Sequence, residues 1–128
     1  MMDETYLYFR CGQVYYAVDY YRVLKILPAQ DLYQLPIAEP YIKGVLKIEE
    51  KILAVFDLQQ QDHENYYMIL QFDDECLGIC ADEIMGRKVI KDDIWIVQDQ
   101  QEEIYSYQED NQNIYLLNLN LIKRRLQK

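Results

Sequence analysis

The sequence has 128 residues, 51% of them hydrophobic, and its 22 acidic and 13 basic residues give a net charge of −9. This size fits one folded domain whose core needs no disulfide or metal. The acidic balance argues against binding to nucleic acid or to anionic lipid, because both depend on basic side chains that neutralise phosphates. The scattered cysteines Cys11, Cys76 and Cys80 are typical of a reducing compartment.

The start of the chain, from Met1 to Glu4, is acidic, and no apolar segment follows that resembles a secretory signal. No apolar run approaches the roughly 20 residues that a membrane-spanning helix needs. We therefore expect a cytoplasmic protein without membrane insertion.

In chain order, the pattern is one of short apolar or alternating runs separated by turn residues, which is typical of many short strands. The first two predicted strands are residues 5–10 and 14–18. Residues 20–27 are ambiguous between helix and strand, because the segment is too short for its period to decide. Residues 29–40 are predicted to be a connecting loop.

The middle of the chain contains two predicted hairpins, each with apolar strands and a short acidic turn. In the first, residues 41–48 pair with residues 51–58 through the turn Glu49-Glu50; in the second, residues 66–72 pair with residues 76–81. The strands of the second hairpin are apolar on both faces, which predicts central positions in a sheet.

Further strands are predicted at residues 84–90, 94–97, 104–107 and 114–117. Asn118 or Asn120 is expected to cap a short final helix, whose apolar face would hold Leu119, Ile122 and Leu126. Nine or ten short strands are too many for one simple sandwich of this length. The predicted fold is therefore all-β, with two small barrels packed together in a single domain over residues 1–128.

The residues that carry enzyme chemistry are not assembled in this sequence. The single histidine, His63, lies in a polar loop, where a solvated role is far more common than a catalytic one. Cys76 and Cys80 would lie roughly 13 Å apart along one strand, too far for a disulfide, so they are interpreted as small buried hydrophobic residues. We expect no enzymatic activity, no cofactor and no metal.

Thirteen tyrosines suit either strands or a recognition surface. A small barrel that binds single-stranded nucleic acid through them is a remote alternative, which the net charge disfavours.

Several segments together resemble the CheW-type coupling domains of bacterial chemotaxis. The main segment is residues 35–58, LPIAEPYIKGVLKIEEKILAVFDL, which is similar to the central signature of that family: a Leu-Pro, a Lys-Gly-Val strand, a tight turn and a strand closing in Asp-Leu. Residues 77–84, LGICADEI, and residues 114–119, IYLLNL, resemble two later family segments. The opening VYYAV of residues 14–18 fits as well, so the resemblance covers almost the whole chain in order.

The resemblance implies a fold of two five-stranded SH3-like barrels side by side, with a short C-terminal helix. It also implies a non-catalytic adaptor that binds the regulatory domain of the histidine kinase CheA and the helical tip of a chemoreceptor. The residues it suggests for partner binding are Ile42, Lys47, Glu49, Glu50, Lys51, Asp57 and Asp82.

This chain departs from the family pattern at the turn, where Glu49-Glu50 stands in place of the usual Arg-Gly. The first change reverses a charge at an expected partner contact. The second places a side chain, at Glu50, where glycine normally relieves a positive φ. Ala54 also replaces a usual proline. Either the partner surface has changed to match, or the chain is a divergent scaffold of another phosphorelay that has lost standard receptor coupling.

Overall fold

A computed structural model describes residues 3–34, 41–58, 65–91, 94–99 and 104–126 of the chain. Strands account for most of these residues, and one α-helix, α1, covers Leu119–Leu126. The strands are β1 Asp3–Cys11, β2 Val14–Asp19, β3 Val23–Pro28, β4 Ile42–Ile48, β5 Lys51–Phe56, β6 Tyr66–Phe72, β7 Glu75–Ala81, β8 Glu83–Lys91, β9 Ile96–Asp99, β10 Ile104–Glu109 and β11 Gln112–Leu116.

The strands form a six-stranded sheet, in the order β8-β1-β2-β11-β10-β9, and a five-stranded sheet, in the order β3-β6-β7-β5-β4. The chain begins in the first sheet, crosses to the second for β3 to β7, and returns for β8 to β11. Each sheet combines antiparallel hairpins with one parallel pair, β11 with β2 and β5 with β7. The predicted all-β fold with two β subdomains and a short C-terminal helix is confirmed. The described residues form eleven strands, compared with the nine or ten predicted.

The buried hydrophobic residues form three clusters, and the alternation of side chains along each strand decides which cluster a residue joins. Leu53, Val55 and Ile69 belong to a cluster of the five-stranded sheet. Successive residues of a strand point to opposite faces, so the neighbouring Met68 and Leu70 belong to a different cluster. That cluster contains residues of both sheets and of α1, such as Phe9, Val18, Ile79 and Ile122. It joins the two sheets, which is why β6 and β7 are apolar on both faces and central, as predicted.

An aromatic cluster belongs to the six-stranded sheet. The ring of Trp95 meets those of Tyr6 and Tyr107 edge to face, with centroids 5.5 and 5.0 Å apart. Trp95 Nε1 and the Tyr107 hydroxyl are buried, and neither has a hydrogen-bond partner among the described residues. Burial raises the pKa of Tyr107 to about 12, and the nearby Glu109 carboxylate adds to the shift.

The ambiguous residues 20–27 divide between two structures. Tyr20–Arg22 form one turn of 3₁₀ helix, and the Asp19 carboxylate accepts a hydrogen bond from the Tyr21 N–H at 3.0 Å. The chain then enters β3, an edge strand that pairs with β6. A capping carboxylate followed by β-branched and apolar residues gives a short helical turn and then a strand, so neither single interpretation was complete.

Positive φ angles mark the tight turns. Glu49 has φ 55° in the β4–β5 turn, while Glu50 is not among the residues with positive φ. The prediction that Glu50 carries the conformational cost is therefore wrong, because the two-residue turn places its left-handed residue first. Asp110 and Asn111 both have positive φ, as a type I′ turn requires.

Of the two predicted caps of the C-terminal helix, the structure shows Asn118, whose side-chain oxygen accepts a hydrogen bond from the Leu121 N–H at 2.8 Å. Ile122 is buried and Leu119 packs against the same cluster, while the side chain of Leu126 lies outside the described residues. Also outside them lie the predicted Leu-Pro start of the main segment, residues 35–40, and the loop that contains His63.

The three cysteines are not joined in a disulfide; Cys11 and Cys80 are buried and Cys76 is half-buried. Within the described ranges, no helix has both the length and the apolar character needed to cross a membrane.

Candidate functional site

The β4–β5 hairpin presents an apolar strip on its outer side, which we call the outer hairpin face: Tyr33, Val45, Lys47, Ile52 and Ala54. Cross-strand pairing places these side chains next to one another, since Tyr33 lies opposite Val45, Val45 opposite Ala54, and Lys47 opposite Ile52. Tyr33 is 70% exposed and Ile52 71% exposed. Apolar and aromatic side chains left this open on the same side of a regular sheet surface indicate an interaction site.

The opposite side of the hairpin holds it in place. Leu46, Leu53 and Val55 alternate with the outer residues and are buried in the five-stranded sheet's own cluster. Gly44 allows the segment before β4 to approach closely, because a Cβ atom there would lie 2.7 Å from Leu32 Cβ and 2.8 Å from the Tyr33 carbonyl oxygen. The outer hairpin face is therefore mounted on a packed, rigid element.

A shallow pocket opens at the turn of the hairpin, between the turn and β3. We call it the tip pocket; its volume is about 160 Å³ and it is lined by Leu24, Lys25, Ile48, Glu49, Lys51, Leu53, Ile69 and Cys76. The buried Leu53 and Ile69 belong to the core cluster, whereas Lys25, Glu49 and Lys51 are exposed. The tip pocket thus combines an apolar base with charges of both signs.

Five of the seven residues predicted for partner binding lie on this hairpin. Lys47, Glu49, Glu50 and Lys51 are exposed at or beside the turn, and the structure brings them together. Ile42 is half-buried at the other end of β4, opposite Phe56. The hairpin therefore gathers the predicted residues near its tip, with Ile42 at its base.

Asp57 follows β5 and is only 3% exposed. Its carboxylate lies 4.0 Å from Lys43 Nζ and accepts a contact from the Cys11 thiol at 3.9 Å. Its backbone N–H donates to the Tyr41 carbonyl oxygen at 2.8 Å. The carboxylate therefore faces the β1–β2 turn and the start of β4, inside the molecule.

Asp82 lies between β7 and β8 and approaches the same β1–β2 turn. Its carboxylate accepts a hydrogen bond from the Gly12 N–H and lies 3.9 Å from Arg10 Nη1. Its backbone N–H donates to the Arg10 carbonyl oxygen at 2.8 Å. Asp57 and Asp82, which we call the junction carboxylates, thus fasten a turn of the six-stranded sheet to the ends of β5 and β7.

Two contributors to this surface were missed from the sequence. The sequence pattern predicts Tyr33 in a connecting loop and leaves Lys25 in the ambiguous segment before it. No local pattern marks either residue, because each reaches the hairpin only through tertiary pairing. In contrast, the i, i+2 spacing of Val45 and Lys47, and of Ile52 and Ala54, can be read from the sequence and places each pair on one face of its predicted strand.

The described residues contain no cluster of side chains that could hold a metal ion. A rigid β-hairpin that exposes apolar residues and unpaired charges is typical of a protein-binding β module. A family model described as the CheW-like domain matches residues 5–124, and the chain belongs to that family.

Two known proteins are similar to this chain. "Chemotaxis protein CheW" of Treponema pallidum (strain Nichols) is 27% identical over 88 residues, which cover 59% of this chain and 52% of that protein. The match thus spans about half the length of this curated relative. The crystal structure of scaffolding protein TtCheW from Thermoanaerobacter tengcongensis superposes with a TM-score of 0.80 at 15% identity, over 93% of this chain and 86% of that one. At that identity the likeness establishes the fold alone.

Proposed function

We propose that this chain is a non-catalytic cytoplasmic adaptor that couples chemoreceptors to a CheA-type histidine kinase, and that it forms one domain over residues 1–128. Membership of the CheW-like family and the name of the Treponema relative support this function. The observation that carries it is the outer hairpin face, where Ile52 is 71% exposed on a strand whose other side is anchored in the core.

The outer hairpin face suits the kinase regulatory domain, which in this family has the same fold. Two sheet surfaces pack well when flat apolar residues meet between them, and Val45, Ile52 and Ala54 provide such residues in adjacent cross-strand positions. Lys47, directly opposite Ile52, would add a charge at the rim of the contact. Such an interface is of modest size, as a reversible signalling contact requires.

Of the residues predicted for partner binding, we assign direct contact to Lys47, Glu49, Glu50 and Lys51, which are exposed. Ile42 would complete the hairpin contact from its half-buried position. Asp57 and Asp82 would act as positioning residues, because their carboxylates are directed to the β1–β2 turn and attach one sheet to the other.

The test is reconstitution with the kinase and a receptor encoded in the same genome. Purified chain is titrated into kinase and receptor-containing membranes, and autophosphorylation is measured with and without attractant. An adaptor should raise kinase activity in the presence of receptor and make it sensitive to attractant. No change in activity at any concentration, with no binding to the isolated regulatory domain by calorimetry, would overturn the proposal.

A further inference from the structure

The strand β9 is weakly attached to the six-stranded sheet. It lies at an edge of the sheet and has four residues, of which three pair with β10, with a shift in register between the first pair and the other two. Ile96 is 59% exposed and Val97 50% exposed. Because consecutive residues of a strand point to opposite faces, these two side chains leave both faces of β9 largely open to water.

The side chain that joins this strand to the core is Trp95, the residue immediately before β9. Its ring meets those of Tyr6 and Tyr107 edge to face, which is a favourable arrangement of aromatic rings. Of the four consecutive apolar side chains at residues 94–97, Trp95 alone packs against a core cluster, while the other three are exposed. The attachment of β9 therefore depends mainly on one indole ring.

The packed position of Trp95 leaves two polar atoms buried without hydrogen bonds. These atoms are Trp95 Nε1 and the Tyr107 hydroxyl, and neither has a partner among the described residues. A group buried in this way gives up its hydrogen bonds to water and gains none, so it destabilises the packed state. The Tyr6 hydroxyl, in contrast, donates a hydrogen bond to the Glu4 carboxylate at 3.3 Å. Movement of the indole out of the cluster would return both unsatisfied atoms to water.

We propose that residues 94–99, which we call the strap, open as a local unit: Trp95 leaves the aromatic cluster and β9 separates from β10, while the rest of both sheets stays folded. Segments that bury little apolar surface open at a lower free energy than the core does. Opening exposes the rings of Tyr6 and Tyr107 together with the edge of β10, where another strand can pair. The closed strap thus covers a strand edge that its opening makes available.

The strap belongs to the six-stranded sheet, whereas the β4–β5 hairpin of the proposed function belongs to the five-stranded sheet. The opening is therefore a property of the fold beyond the coupling contacts proposed above. It is tested on the full chain without any partner.

Hydrogen exchange followed by NMR measures the opening. Trp95 is the only tryptophan of the chain, so its indole N–H gives a single, unambiguous resonance. The indole N–H and the β9 amides that pair with β10 should share one opening constant, at least about 100-fold larger than that of the β6 and β7 amides. Low concentrations of urea should accelerate them little, because the opening exposes little surface. One common protection and urea dependence for all these groups would overturn the inference, since the strap would then open only in global unfolding.

Removal of an unsatisfied hydroxyl tests the cause of the opening. Tyr107→Phe keeps the ring and should slow exchange of the strap amides and of the Trp95 indole N–H by about threefold or more. The matched control Tyr6→Phe removes a hydroxyl that has a partner, and it should not slow exchange. Unchanged or faster exchange in Tyr107→Phe would overturn the inference, and so would equal slowing in Tyr6→Phe.

Removal of the indole should leave the strap open. In Trp95→Ala the β9 amides should exchange within about tenfold of the rate of an unfolded chain, while the β6 and β7 amides remain protected, since Trp95 is not part of the clusters that contain those strands. The control Ile94→Ala changes a 39% exposed side chain and should alter exchange by no more than about threefold. Protection of the β9 amides as in the wild type, or complete loss of protection in β6 and β7, would contradict the proposed strap.

Discussion

The two ends of the β4–β5 hairpin differ in how their charged residues are used. At the tip, Lys25, Glu49 and Lys51 are exposed around an apolar pocket and form no ion pair with one another within 4.0 Å. At the base, Asp57 is 3% exposed and directed toward Lys43 and Cys11. The hairpin thus has exposed charges, which we propose for recognition, at one end and an internally attached carboxylate at the other.

The physical reason for the difference is the cost of removing a charge from water. A buried carboxylate is stable only when donors inside the protein replace its hydration, so its partners are fixed. An exposed charge keeps its hydration and remains free to pair with another molecule. A charged residue within a family signature therefore has a recognition role or a structural role according to its burial, which the motif does not record.

The largest expected effect is a loss of folding stability, and it concerns Asp57 at the base of the β4–β5 hairpin. Replacing Asp57 by alanine should lower the free energy of unfolding by about 2 kcal/mol or more, because Lys43 and Cys11 lose the carboxylate that they face. Urea unfolding measures the change. The control Glu50→Ala removes an exposed carboxylate of the same hairpin and should stay within about 0.5 kcal/mol. Equal losses of unfolding free energy in both variants would show that the carboxylates at the tip and at the base of the hairpin do not differ in their structural role.

The next effect is on binding, at the outer hairpin face. Ile52→Glu should weaken binding of the kinase regulatory domain by about tenfold or more, because a charge would be buried in the apolar centre of the contact. The matched control is Val89→Glu, which introduces the same side chain at a 63% exposed apolar residue on β8 of the other sheet. Calorimetry should show the loss for Ile52 alone, with both variants unfolding like the wild type. A similar loss at Val89 would move the interface to the other sheet.

A smaller effect is expected from the backbone of the turn. Glu49→Gly should stabilise the protein by about 0.5–1 kcal/mol, because φ 55° costs a residue with a Cβ atom and costs glycine nothing. Glu50→Gly should give no gain, since Glu50 does not have a positive φ. Thermal unfolding of the two variants decides the matter; stabilisation by Glu50→Gly instead would place the left-handed residue second in the turn.

The smallest effect concerns a buried polar group that, unlike the junction carboxylates, has no hydrogen-bond partner in the described parts of the chain. This group is the Tyr107 hydroxyl in the core of the six-stranded sheet, so Tyr107→Phe should leave stability near pH 7 unchanged or raise it by up to about 1 kcal/mol. The pKa of Tyr107 is raised to about 12, mainly by burial. The unfolded chain therefore loses this proton first, and stability falls as the pH rises from about 10 to 12.

Tyr107→Phe should reduce that alkaline loss of stability, whereas Tyr21→Phe, at an exposed tyrosine, should not. Unfolding measured across this pH range checks both variants. An alkaline decline of the same size in wild type and Tyr107→Phe would mean that other groups cause it.

By itself, the sequence determined the fold class and the family. Alternating and fully apolar runs are local properties, and they were sufficient to predict most strands and the central position of β6 and β7. The sequence also predicted a helix cap at Asn118 or Asn120, and the structure shows it at Asn118. The ordered segments at residues 14–18, 35–58, 77–84 and 114–119 predicted the family that the comparison confirmed.

Only the tertiary structure decided which residues act together. Sequence separation does not indicate that Tyr33 lies opposite Val45, that Lys25 shares a pocket with Glu49, or that Asp57 and Asp82 reach the same turn. These contacts follow from sheet pairing between distant strands. Burial follows from the same pairing, because the position of a strand in its sheet determines whether a carboxylate meets water or an internal donor.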